Sequence, residues 1–152
     1  MMTPALMALA LAAAPDACPA VSPAQIESRF QVFMDAWASG DPDAVTAVFT
    51  AEPVLLPTVS NTPRTTPAGV PDYFVGFLRN RPVARIVTST VEIDCMTASR
   101  VGLWTVTLTD PATGAKRDVE ARYSFIYRFE DGAWKIDHLH SSMMPETTAA
   151  AH

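Results

Sequence analysis

Helical periodicity confined to the first half of the chain, and strand periodicity in nearly everything after Pro82, predict an α+β domain. In that fold three N-terminal helices pack on one face of a strongly curved antiparallel sheet. A length of 152 residues with 49% apolar side chains supplies one core and not two. A mean hydropathy of +0.13 is high for such a domain, and much of the excess lies in the first twenty residues.

Residues 5–14 are uninterrupted Ala, Leu and Met, too short to span a bilayer and suited to a signal-peptide core. Residues 1–20 are therefore read as a signal peptide, 21–146 as the acting domain and 147–152 as a disordered tail, which predicts a periplasmic or secreted protein. The leading Met-Met-Thr-Pro contributes no Lys or Arg, so the n-region carries only the terminal amine. Cleavage after Ala17 or Ala20 fits as well as cleavage after Ala14, which would place Pro15 at the new terminus. Cys18 and Cys95 are an even, widely spaced pair, read as one disulfide if the chain is exported and as two free thiols otherwise. A cut after Ala20 would remove Cys18.

Ser22-Pro23-Ala24-Gln25 is a helix start, with Ser22 as cap, Pro23 in the first turn and Gln25 placed for a capping box. Ile26, Phe30, Phe33 and Trp37 form one apolar stripe, and Gly40 ends the helix. Asp41-Pro42 repeats the cap-and-proline start, and Val45, Val48 and Phe49 predict a short second helix. Val54 to Leu56 read as a short strand, residues 57–67 as a proline-punctuated loop, and Val70, Phe74, Phe77 and Leu78 as the apolar face of a third helix reaching about Asn80. Pro71 leaves its first turn open.

After Pro82 the pattern alternates. Strands are expected over 83–95 and 101–109, then a turn at Asp110 to Gly114. A long strand carries Val119, Ala121, Tyr123, Phe125, Tyr127 and Phe129 on one face, and the Asp131-Gly132 hairpin leads to a returning strand over 134–142. On an unbroken strand Ile136, His138, His140 and Ser142 share a face. That face is expected to bear the chemistry: His138 and His140 as acid/base groups or anion donors, with Arg122 as a carboxylate anchor. Arg64 and Asn61 of the polar loop, together with Tyr73, complete the expected ligand-binding set. No metal site is expected, since zinc needs a third protein ligand and Asp137 points to the opposite face. No cofactor is expected either. The net charge of −5, with no basic stripe, argues against nucleic acid as a partner.

Phe-Met-Asp-Ala-Trp-Ala-Ser-Gly-Asp-Pro-Asp-Ala-Val at 33–45 and Asp-Gly-Ala-Trp-Lys-Ile-Asp-His-Leu-His-Ser-Ser at 131–142 resemble the nuclear-transport-factor-2-like superfamily. Within it the likeness is to the association (hub) domain of calcium/calmodulin-dependent protein kinase II and its stand-alone bacterial relatives. The segments at 54–61, 121–125 and 138–145 match the pattern of those relatives. The resemblance implies a cone with an internal pocket, the cystatin-like arrangement, and a homodimer or higher oligomer. Ungapped matching places Ser141 and Phe125 where the hub carries arginines, so its anion site is not reproduced position by position. The chain is too short for a kinase domain, and kinase activity is excluded.

Two functional readings follow. One is an exported, self-associating module holding a small polar or acidic organic ligand through Arg122, His138, His140 and the loop residues. The other is an isomerase or cyclase of the polyketide-cyclase and ketosteroid-isomerase type, in which His138 or His140 moves a proton and Tyr73 or Tyr123 steadies an enolate. Asp72 and Asp137 are the carboxylates available to it.

Overall fold

A computed structural model describes residues 17–145; most of the signal segment, residues 1–16, and the predicted tail lie outside the described residues. The order is α1 Pro23–Ser39, α2 Pro42–Thr46, β1 Phe49–Leu56 and α3 Gly69–Phe77, then β2 Val83–Ile93, β3 Thr97–Thr109, β4 Lys116–Glu130 and β5 Ala133–Met143. A single 3₁₀ turn, Leu78–Asn80, extends α3.

The predicted α1 signals all act. Ser22 Oγ accepts from the Gln25 N–H at 3.3 Å while Gln25 Oε1 accepts from the Ser22 N–H at 2.8 Å. Gly40 closes the helix at φ 70°. Asp41 Oδ1 caps α2 through the Asp43 N–H at 2.9 Å. Pro71 sits in the first turn of α3, where its missing N–H costs no helical bond. The second helix is shorter than expected: it ends at Thr46, and Phe49 instead opens β1.

The five strands form one sheet in the order β1-β5-β4-β3-β2. Four run antiparallel as expected, but β1 lies parallel to β5. The loop and α3 separate β1 from β2, so no hairpin joins them, and β1 takes the open edge of β5. At the β4–β5 hairpin Asp131 and Gly132 have φ of 52° and 76°, as a two-residue primed turn requires. The Cys18–Cys95 disulfide is formed, pinning the segment before α1 to the β2–β3 turn across 77 residues.

Two bulges shape the sheet. In β2 the register with β3 slips between Ile86 and Thr88. There Gly102 lies so close beneath Thr88 that an added Cβ would stand 2.0 Å from the Thr88 carbonyl oxygen. Tyr123 closes this crossing by donating its hydroxyl to the same oxygen at 2.8 Å. In β5 the register slips at Asp137, so Ile126 faces His138 while Tyr127 faces Ile136.

The concave face of the sheet and the two longer helices enclose an aromatic core. Phe33 of α1 meets Phe49 at 6.0 Å and Phe125 at 5.6 Å, both edge to face. Trp37 meets Phe77 at 5.1 Å and Trp104 at 6.0 Å. The row from Val119 to Tyr127 faces this core, with Phe129 half-buried at its end.

Arg100, unremarked in the sequence, is 5% exposed under α1. It donates to Ser89 Oγ at 2.9 Å and to the Glu27 carbonyl at 3.2 Å, and its guanidinium lies over the Phe30 ring.

Candidate functional site

Between α1, α3 and the concave face of the sheet lies a narrow slot of about 20 Å³, room for about one water molecule. Its walls are Trp37 from α1, Phe77 from α3 and Trp104, Val106 and Leu108 from β3, with Thr58, Val59 and Tyr73 at the β1–α3 side.

Few polar atoms reach this lining. Ser141 Oγ accepts from Trp104 Nε1 at 3.0 Å and meets Thr58 Oγ1 at 2.6 Å. Trp37 Nε1 is buried and has no hydrogen-bond partner. Tyr73 stacks on Phe77 at 5.2 Å, and the Arg64 guanidinium lies 5.9 Å above the Tyr73 ring. Burial pushes the Tyr73 phenol well above its ordinary pKa, and the Arg64 charge only partly opposes this. Tyr73 is thus a neutral donor across the physiological range. No Asp, Glu or His lines the slot.

The bulge at Asp137 redistributes the predicted site. Ile136 leaves the expected common face, because Asp137 takes up one extra residue and the alternation restarts beyond it; His138, His140 and Ser142 still share a face. Ile136, Leu139 and Ser141 are buried toward the core, while His138 and His140 turn to the outer face. There His140 and Arg122 do come together, in a shallow groove with Ser124 and Ser142. Asn61 is exposed in the loop, and Arg64 is half-buried with its backbone bridged to Leu55. Of the predicted binding residues, Tyr73 lines the slot and Arg64 stands behind it.

The proposed carboxylates lie elsewhere. Asp72 is exposed on α3, and Asp137 pairs with Arg128 at 3.0 Å while accepting from Thr50 Oγ1 at 3.2 Å. The Tyr123 hydroxyl is committed to the Thr88 carbonyl. Among the described residues no three His, Cys, Asp or Glu side chains gather as a metal-ligand set.

Sequence reasoning missed Trp37, Trp104 and Thr58 as cavity residues. A signal for the bulge was present: the apolar phase of Trp134 and Ile136 slips by one at Leu139. Of the two positions matched to hub arginines, Ser141 lines the slot and Phe125 is fully buried in the core.

Comparison with known proteins places these features among relatives. The model of the SnoaL-like domain matches residues 30–136. A Xanthomonas campestris structure, provisionally assigned as a calcium/calmodulin-dependent protein kinase II association domain, is 40% identical, with 84% of this chain and 94% of that chain covered at a TM-score of 0.78. A ketosteroid isomerase-like protein from Erwinia carotovora atroseptica is 18% identical, covering 80% and 95% at a TM-score of 0.66. The association domain of the Caenorhabditis elegans kinase is 18% identical, covering 78% and 92% at 0.63. No curated protein matches the chain.

Proposed function

The chain belongs to the SnoaL-like domain family, and from that premise we propose that it is an exported, self-associating module that holds a small molecule in the slot between helices and sheet. The observation carrying this reading is the slot itself: aromatic walls and no Asp, Glu, His, Lys or Arg among its lining residues. An isomerase or cyclase needs a base at the reacting carbon. Tyr73 is the sole ionisable side chain of the lining, and burial keeps it protonated. Binding without turnover is therefore the better-supported reading.

Export is supported by the apolar run at 5–14 and by the Cys18–Cys95 disulfide, a bond suited to an oxidising compartment. No helix of the described residues is long and apolar enough to cross a membrane. Retention of Cys18 requires cleavage before that residue, after Ala17 or earlier.

Self-association is assigned to the outer face of the sheet. Arg122, His138 and His140 lie there beside half-buried Val54, Leu56 and Ile126 and the exposed Val101. An apolar sheet face edged by polar groups suits a second copy of the chain.

The test is native mass spectrometry of the full-length gene product recovered from the periplasm or medium. A mature chain retaining Cys18, an oligomer and a small-molecule adduct lost on Leu108→Trp, which fills the slot, are expected. A monomer without any adduct would refute the assignment.

A further inference from the structure

We infer that residues 57–63 form a lid over the slot, hinged where Leu55 pairs with Arg64 and latched shut by the Thr58–Ser141 hydrogen bond. The inference rests on the binding reading above and names how a molecule passes in and out.

The slot has room for about one water molecule, so any larger occupant needs one wall to move. The walls are unequal. Trp104, Val106 and Leu108 belong to β3, which is paired with β2 on one side and β4 on the other. Leu139 lies in β5, held between β1 and β4. Trp37 and Phe74 are 5% and 1% exposed within the aromatic core. Pro57, Thr58 and Val59 are the lining residues that belong to no helix or strand.

Little holds that segment beyond its base. The base is firm, because Leu55 and Arg64 exchange backbone hydrogen bonds at 2.8 Å in both directions. Past this bridge Pro57 and Pro63 have no N–H to donate. The one backbone bond inside 57–63 runs from the Ser60 N–H to the Pro57 carbonyl at 3.4 Å. Val59, at the tip, is 38% exposed. A segment with few backbone bonds and an exposed tip opens at low free-energy cost. The hinge stays behind when the tip lifts: the Arg64 guanidinium lies over the Tyr73 ring, and Tyr73 stacks on Phe77 of α3.

Thr58 closes the tip. Its Oγ1 stands 2.6 Å from Ser141 Oγ. Ser141 is 5% exposed, and its oxygen is fixed by the Trp104 indole N–H at 3.0 Å. The catch is therefore rigid and built into the sheet, while the moving half is one hydroxyl on the loop. Lifting Thr58 uncovers Ser141 and the indole proton behind it. That proton reports on the lid with no ligand present.

The experiment is hydrogen exchange of the Trp104 indole, followed by ¹⁵N NMR on the full disulfide-bonded chain. Thr58→Val keeps the shape and removes the hydroxyl, and Thr58→Ser keeps the hydroxyl. Thr58→Val is expected to speed indole exchange roughly two- to ten-fold, the worth of one neutral hydrogen bond. The backbone amides from Tyr123 to Tyr127 should keep their wild-type rates, and Thr58→Ser should exchange as the wild type does. Unchanged indole exchange in Thr58→Val overturns the lid. So does equal acceleration of the indole and the β4 amides, which would mean that the bond supports the whole fold.

Passage is tested separately with naphthalene as the probe, by stopped-flow tryptophan fluorescence. The latch closes again behind the probe, so in Thr58→Val entry and exit should quicken by the same factor with little change in Kd. Entry and exit at wild-type rates overturn the lid. Failure of naphthalene to bind, with the indole responding as expected, leaves the lid standing and counts against the binding reading.

Discussion

Replacing Gly102 by alanine is the sharpest test of how the sheet gets its curvature. The added Cβ would stand 2.0 Å from the Thr88 oxygen and 2.7 Å from its carbonyl carbon, both backbone, and 2.9 Å from the Tyr123 hydroxyl. No rotamer change relieves a clash with backbone, so β2 must part from β3 at the bulge. That forfeits the Tyr123 to Thr88 bond, about 0.5–1.5 kcal/mol, and adds overpacking of about 1–3 kcal/mol. The sum is about 2–4 kcal/mol, a drop in Tm of roughly 10 °C for a domain this size. Urea unfolding with the disulfide intact measures it, with Tyr123→Phe as the control that removes the hydrogen bond alone and costs about 1 kcal/mol. If Gly102→Ala stays within about 0.5 kcal/mol of the wild type, the close crossing of the two strands is wrong.

Three further outcomes are expected. Cys95→Ser opens a loop with a sequence separation of 77 and should lower stability by about 4 kcal/mol, with the intact bond appearing as a 2 Da deficit by mass under non-reducing conditions. Burial raises the pKa of Tyr73 and Tyr127, so their neutral phenols stabilise the fold in full below the ordinary value of about 10 and progressively less as pH climbs above it. Absorbance at 295 nm should therefore show both resisting ionisation until alkaline unfolding, and Tyr73→Phe should shift that unfolding to higher pH. Val101→Glu, at a position 39% exposed on the outer sheet face, should shift light scattering toward the monomer; an unchanged mass would remove that face from the assembly.

Much of the fold was legible because its signals are local. Ser22 with Gln25, Gly40, and Asp131 with Gly132 each specify a backbone geometry within four residues, and the period-two row from Val119 to Tyr127 shows which face of β4 is buried. The pairing of β1 was not legible, since a parallel edge depends on which sheet edge remains open after the hairpins form. The facing of β5 was misread at a single residue. Asp137 looks like any strand residue, yet the space it takes in β5 turns His138 and His140 outward and Ser141 inward. The unpartnered Trp37 N–H had no sequence signal, because an apolar helix stripe gives the phase of a side chain and not the fate of one nitrogen. Arg100 was hidden for a related reason, since its burial needs Ser89 and the Glu27 carbonyl from two other elements.

The central claim is that the working surface lies inside the slot and not on the histidine-bearing face. A crystal structure of the protein recovered from its native host, with no ligand added, tests it most directly. The expected result is a non-protein molecule in the slot lined by Trp37, Tyr73 and Trp104. A slot holding only water, with a bound molecule seated instead between Arg122 and His140, would contradict it.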